Sequence, residues 1–223
     1  MNDIWISPSD LSFFWKDTKI GFFDKYKLEI YRPKHAFPSI FNAIDQHMKD
    51  SFDKQNAKDV VSTAPDGIFI HEEEKVKSEL ITIGQYRIGF KGNIDSLIKH
   101  NDGTYSLVDY KTTSLKDSLA DTYFLQLMAY CMCLSKPMEG PPKKIRSMGL
   151  IVFDPKGFIY SHESGLLNGS MHWVEIPIDI PRFKKWIKDE LVPLLDSNRD
   201  DIEVGWHDNE WKRYIETFYL EKE

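Results

Sequence analysis

Cysteine is scarce in this chain. There are two, Cys131 and Cys133, and neither end of the chain carries one. They lie two positions apart in a stretch with helical character, so their side chains point away from one another and are not expected to bridge. A disulfide scaffold is excluded, and both thiols are expected as plain core side chains in a reduced, cytoplasmic protein. Positive charge is also in deficit. Lys and Arg number 29 against 35 Asp and Glu, for a formal net charge of −6. That excludes a uniformly basic nucleic-acid binder, but not a site where metal ions and local basic patches supply the positive charge. No apolar run approaches membrane-spanning length. The opening Met1-Asn2-Asp3-Ile4-Trp5 has no basic region followed by an apolar run, so no secretory leader is expected. No G-x-x-x-x-G-K-[ST] loop occurs, which excludes a P-loop motor. Internal repeats, low-complexity tracts and clear linkers are absent as well.

What is present is aromatic bulk and punctuation. Six Trp, ten Tyr and fourteen Phe in 223 residues indicate a folded globule with ample core. Ser9 or Asp10 is expected to cap a short helix to about Lys16, and Phe22 to Tyr31 is ambiguous. Pro38 to Asn56 reads as an amphipathic helix, with Phe41, Ile44, Met48 and Phe52 at helical spacing. Ala64 to Lys77 is polar and loop-like, and its acidic run Glu72 to Glu74 reads as solvated. Strands are expected at Glu79 to Ile83, Arg87 to Lys99 and Thr104 to Lys111. A long helix follows from Asp117 or Ser118 to about Ser135, stopped by Pro137. Arg146 to Phe153 reads as a buried strand. Phe158 to His162 and Met171 to Ile178 form a further ribbon around Gly165 to Gly169. Pro181 to Leu195 and Trp211 to Tyr219 are the last helices. Three strands, a helix and another strand after the first long helix indicate an α/β fold with a central mixed β-sheet flanked by helices.

The chemistry concentrates in residues 92 to 130. Gly92-Asn93-Ile94-Asp95 is followed by Val108-Asp109-Tyr110-Lys111, then by Gln126 and Tyr130. Asn101-Asp102-Gly103 is a strong turn signal. A three-residue loop with left-handed Gly103 pairs His100 with Thr104, so 99 faces 105, 97 faces 107 and Asp95 faces Asp109. A two-residue Asp102-Gly103 turn would shift the register by one and turn Asp109 to the other face. In the first register Lys111 shares the face of Asp109. Like charges opposed across a sheet are destabilising. The pair therefore asks for a cation between the carboxylates or a raised pKa on one of them. Gln126 and Tyr130, four apart, are neighbours on one helical face. Two basic patches, Lys143, Lys144 and Arg146, and Arg182, Lys184, Lys185 and Lys188, read as solvated faces or as places to hold a strand.

The order G-x-x-D, D-x-K, Q-x-x-x-Y resembles the RecB-like branch of the PD-(D/E)XK nuclease superfamily, which includes the CRISPR-associated iron–sulfur exonucleases. The opening Ser7-Pro8-Ser9-Asp10-Leu11 is similar to the start of such domains. The resemblance implies one domain over residues 1–223 with a restriction-endonuclease-like core at about 37–155. It implies a divalent-metal-dependent DNase, exonuclease-like on DNA ends or single strands, using Mg²⁺ or Mn²⁺. Asp95, Asp109 and the main-chain carbonyl of Tyr110 would hold the metal, since Mg²⁺ takes hard oxygen ligands. Lys111 would stabilise the transition state, and Gln126 and Tyr130 would hold the nucleic-acid backbone or brace the site.

The chain departs from that pattern in places. Ile94 stands where a proline usually precedes the first acid. The branch often carries a helical histidine as a further ligand. Here the apolar pattern points to Asp45, with His47 in reserve, and aspartate is the harder donor for Mg²⁺. The relatives' terminal cysteines are missing, so no iron–sulfur cluster is expected. Trp206, Trp211 and Tyr214 could pack the C-terminal segment instead. With no motor of its own, the chain would need an open-ended or single-stranded substrate, or a helicase or other DNA-processing partner. A catalytically inert nucleic-acid-binding or scaffold subunit of the same fold is the rival reading.

Overall fold

The computed structural model describes residues 2–31, 39–71 and 75–217. The chain opens with strand β1 (Asn2–Ile6), then three short helices, α1 (Pro8–Ser12), α2 (Phe14–Asp17) and α3 (Lys19–Lys27). Ser7, one turn earlier than expected, is the N-cap of α1, and Pro8 takes the first helical position, where its missing N–H costs nothing. The ambiguous Phe22 to Tyr31 stretch is helical as far as Lys27. The amphipathic segment is α4 (Ser39–Phe52). Pro38 and the acidic run Glu72 to Glu74 lie outside the described residues. Met48 is buried on α4, whereas Phe41, expected on the same inward stripe, is 39% exposed. A short α5 (Ala57–Val60) follows.

Among the described residues, nine strands divide between two sheets. In the first, β5 (Tyr86–Asn93) is central: it pairs in parallel with β1 and antiparallel with β3 (Lys75–Lys77) and β4 (Ile81–Ile83). The second runs β2-β6-β7-β8-β9, with β2 (Ile68–Ile70), β6 (Ser96–Lys99), β7 (Tyr105–Thr112), β8 (Ile145–Ser161) and β9 (Ser164–Ile176). The β7–β8 pair is parallel, which makes the sheet mixed.

The run from Arg87 to Lys99, expected as one strand, is two. It breaks at Ile94 and Asp95, and its halves belong to different sheets. Ile94 turns into the core, where it is 2% exposed. The residues around it, Gly92-Asn93 and Asp95-Ser96, are of the kinds that favour turns, and Ile94 between them anchors the break by burial.

The β6–β7 register is the one set by the three-residue loop. Lys99 pairs with Tyr105, Leu97 with Leu107 and Ser96 with Val108. The His100 amide donates to the Thr104 carbonyl at 2.9 Å, and Gly103 has φ +77°. Asp95, one residue before Ser96, therefore stands opposite Asp109. The last ribbon also differs from expectation. β8 and β9 form a continuous hairpin whose turn is His162 and Glu163, both at positive φ, instead of Gly165 to Gly169.

Helix α6 (Leu119–Ser135) crosses between the layers. It is buried almost all round, as befits a helix apolar on every face, and its two cysteines are free and buried. The larger core packs β1, β5, α1 and α6 against α7 (Ile180–Trp186) and the turns after it. A second core beneath β7 joins Met48 to Phe69, Val108 and Tyr110. The helix expected from Pro181 to Leu195 is α7, a π turn (Ile187–Leu191) and α8 (Val192–Asp196) in succession. The last helix, α9 (Trp206–Ile215), begins earlier than expected. Its Trp211 and Tyr214 rings pair at 5.4 Å and pack with Ile20 and Phe23 of α3, while the Trp206 side chain lies outside the described set.

Candidate metal centre

Where the chain leaves β5 for β6, four elements converge. Asp109 and Lys111 project from β7 toward α6. Asp95 stands at the mouth of β6, and α4 brings Asp45 and Lys49. Asp109 is buried, with Oδ1 accepting from the Gln126 amide at 2.9 Å. Gln126 is itself held by Ser12 of α1, whose hydroxyl donates to Oε1 at 2.5 Å. The Lys111 ammonium forms an ion pair with Asp109 Oδ2. It meets that oxygen off the hydrogen-bonding angle, so Oδ2 is buried without an aligned donor. Lys111 Nζ also donates to the Tyr110 carbonyl at 3.2 Å and lies 5.0 Å from the centre of the Tyr123 ring. Asp95 Oδ2 accepts from the Tyr110 amide at 3.2 Å.

Lys49 is the residue the motif reading missed. Its Nζ lies 2.8 Å from Asp45 Oδ2 and 2.9 Å from Asp95 Oδ1, and its side chain is only 9% exposed. The signal was there: Lys49 follows Asp45 by four residues, the helical spacing of an ion pair. Asp45 is thus drawn to the site, facing Asp95, while His47 lies exposed on the same helix. His71 was also missed. Its Nδ1 is 3.1 Å from the Asp95 carbonyl, and nothing in the sequence pattern signals that contact. Ser12 lies one residue beyond the opening motif and bears on the site only through Gln126.

The electrostatics follow from three carboxylates against two ammonium groups in a dry place. Burial first, and the nearby Asp95 and Asp45 charges next, push the Asp109 carboxyl up to about 6, although Lys111 pulls the other way. Burial also raises Asp45. Burial acts to lower both lysines, but the facing carboxylates outweigh it and hold Lys111 and Lys49 above the ordinary lysine range. Both ammonium groups therefore stay charged. Tyr130 is buried one turn beyond Gln126, and burial, then the charge of Asp109, pushes its phenol far up. It remains a neutral hydroxyl. The Gly92 of the G-x-x-D motif makes room for it: a Cβ there would meet the Tyr130 hydroxyl at 3.2 Å and Pro8 at 3.1 Å.

The donor set, three carboxylates and a main-chain carbonyl, suits a hard divalent cation, and Oδ2 of Asp109 has no aligned hydrogen-bond donor, only the Lys111 ion pair. No three acidic, His or Cys side chains among the described residues already form a cage. The reason is visible: Lys49 and Lys111 hold the carboxylates that a cation would hold. Among the described residues no helix is long and apolar enough to cross a membrane.

No curated protein matches the chain. Among solved structures it is similar to SSO0001, with a TM-score of 0.50 and 14% identity over 89% of this chain and 80% of that one. A likeness at that identity concerns the fold. Residues 31–217 match the PD-(D/E)XK nuclease superfamily, and that span contains the opposed Asp95 and Asp109, Lys111 and the Gln126–Tyr130 face. By that match the chain belongs to the PD-(D/E)XK nuclease superfamily.

Proposed function

We propose that the chain is a divalent-metal-dependent nuclease of the RecB-like branch, acting exonuclease-fashion on DNA ends or single strands with Mg²⁺ or Mn²⁺. The observation that carries this reading is Asp109, a buried carboxylate whose Oδ2 is held only by the Lys111 ion pair and which shares the site with the Asp95 and Asp45 carboxylates. Asp95, Asp109 and the Tyr110 carbonyl would hold the ion, with Asp45 as a further carboxylate on α4. The ion, when bound, lowers the pKa of a water and neutralises charge on the scissile phosphate.

The chain's own residues do the rest. Gln126, fixed by Ser12, holds the Asp109 carboxylate in one orientation. Lys49 does the same for Asp95. Lys111 carries a fixed positive charge, so it acts by stabilising charge that develops on the phosphate and not as a general base. The absence of iron–sulfur cysteines and of a P-loop makes a separate helicase or DNA-processing partner the source of any unwinding.

Purified protein should degrade DNA only with Mg²⁺ or Mn²⁺, and Lys111→Ala should lower the rate about 10²–10³-fold, the usual loss for one preorganised charge stabiliser. Activity that survives this substitution would sink the mechanism. One observation favours a second reading, an inert nucleic-acid-binding or scaffold subunit. The two lysines already neutralise most of the site. That subunit would show no divalent-metal rise in melting temperature, whereas a site loaded at 100 times its Kd gains about 2.7 kcal/mol.

A further inference from the structure

A second feature lies on the far side of Gly92. Strand β3, the adjoining part of β5 and the start of β7 line a groove of about 820 Å³ with the loop 137–144, whose Met138 amide donates to the Lys77 carbonyl at 2.8 Å. Five lysines line it, Lys75, Lys77, Lys91, Lys143 and Lys144, against one acid, Glu139. In a chain of net charge −6 this concentration of positive charge is local and opposite to the whole. Lys77 and Lys91 are directly opposed across the β3–β5 ladder, an arrangement that repels unless something negative lies between them. Lys77 finds partial relief over the Trp5 ring, at 3.9 Å. Lys75, Lys91 and Lys144 form no ion pair with any described residue. Lys75 and Lys77, alternate residues of one extended strand, project about 6.6 Å apart on one face. Pro137, Pro141 and Pro142 line the opposite wall. They have no amide hydrogen, so anion recognition here falls to the lysine side chains.

Packed protein, and not open space, lies between the groove and the carboxylate site. Gly92 lines the groove and packs on Tyr130, whose phenol feels the charges of Asp109 and Asp95. Along α6, Gln126 at Asp109 and Leu134 in the groove wall are eight residues apart, about 12 Å at 1.5 Å per residue.

We infer that this groove is a binding track for a single strand of nucleic acid, which holds the sugar–phosphate backbone of the segment flanking the one at Asp95 and Asp109. The assignment rests on the nuclease reading for its choice among polyanions. Lysines grip the phosphates without regard to sequence, and the exposed Met138 and the proline wall offer apolar contact to sugars and bases.

The test is binding of a fluorescein-labelled oligothymidylate by the protein in EDTA, read by anisotropy over a range of salt. Asp109→Asn serves as a second, cleavage-free parent. The triple variant Lys75→Ala, Lys91→Ala, Lys144→Ala should bind more weakly. Its slope of log K against log salt should be shallower by about 2, at about 0.7 per lost single-strand phosphate contact. Glu139→Lys should bind more tightly. An unchanged slope and affinity in the triple variant overturns the assignment, as does absence of binding by both parents at low salt. Duplex competing as well as single strand overturns the choice of strand. Cleavage of the same oligonucleotide by wild type with Mn²⁺ is read separately. Its failure sinks the nuclease reading and leaves the binding result standing.

Discussion

Two buried carboxylates of this molecule, Asp24 and Asp109, are in opposite circumstances. Asp24 of α3 is fully buried. Both oxygens accept from the Arg199 guanidinium, at 2.7 and 2.8 Å, and Oδ2 also accepts from the Trp211 indole at 2.7 Å. One charge meets one charge in the fork geometry that suits Arg and carboxylate. Asp109 is as well buried, but it belongs to three carboxylates held by two ammonium groups, and one of its oxygens has no aligned donor. Burial of a charge is thus no mark of function by itself. The balanced site fastens α9 and the turn at Arg199 to α3. The unbalanced one has one carboxylate more than it has ammonium groups, and it is where the proposed cation would bind.

Three substitutions separate the two cases. Arg199→Ala should cost about 3 kcal/mol, the low end for breaking a buried pair because the guanidinium is partly exposed. It should leave metal binding unchanged. Denaturant unfolding measures the first and metal titration the second. Loss of metal binding on this change would break the distinction.

Asp109→Asn should do the reverse. A carboxyl whose folded pKa is raised to about 6 is disfavoured when ionised. The penalty is absent below the unfolded pKa of about 3.9, grows as pH rises through that window, and is complete above 6. At pH 7.5 without metal the Asn variant should therefore be more stable than wild type, by roughly 1–3 kcal/mol. Between pH 4 and 6 the wild type should lose that margin while the variant does not. Added Mg²⁺ should no longer raise its melting temperature. An Asn variant less stable than wild type at pH 7.5 would place Asp109 in the same class as Asp24.

The smallest effect concerns the support beneath Asp109. Ser12→Ala leaves Gln126 Oε1 without its donor, at about 1 kcal/mol of stability. If Ser12 acts on the site only through Gln126, the loss should fall on kcat, with KM and the Lys75–Lys91 groove unaffected. Steady-state kinetics on one oligonucleotide reads that split.

Much of the site could be read before the fold was seen. The Asn101-Asp102-Gly103 loop, with Gly103 in the left-handed region, carries the register that opposes Asp95 to Asp109. The four-residue spacing of Gln126 and Tyr130 placed both on one face of α6. Lys49 was written in the same arithmetic, four residues after Asp45, yet a lysine on an amphipathic helix reads first as solvated. Its burial depends on two carboxylates from separate elements. The break at Ile94 and Asp95 did have a local sign in Gly92-Asn93 and Asp95-Ser96, all poor strand residues, but the apolar runs on both sides outweighed it in the reading of one strand. The turn at His162 and Glu163 was hidden for a related reason: Gly165 and Gly169 are the better turn residues, but they sit where Phe158 and Phe153 lie across the ladder.

The sequence by itself determined the long helices, the principal strands and the three motifs, since each depends on neighbours a few residues apart; it left the hairpin register open between two turns, and the stretch that holds β2 and β3 read as loop. Only the tertiary structure decided that Asp109 lies in a dry place, its Oδ2 left to the Lys111 ion pair. It also brought Lys49 between Asp45 and Asp95, and Ser12 to Gln126 across 114 positions of chain. Those are properties of dielectric and packing, which come into being when distant segments exclude water together, and no local pattern carries them.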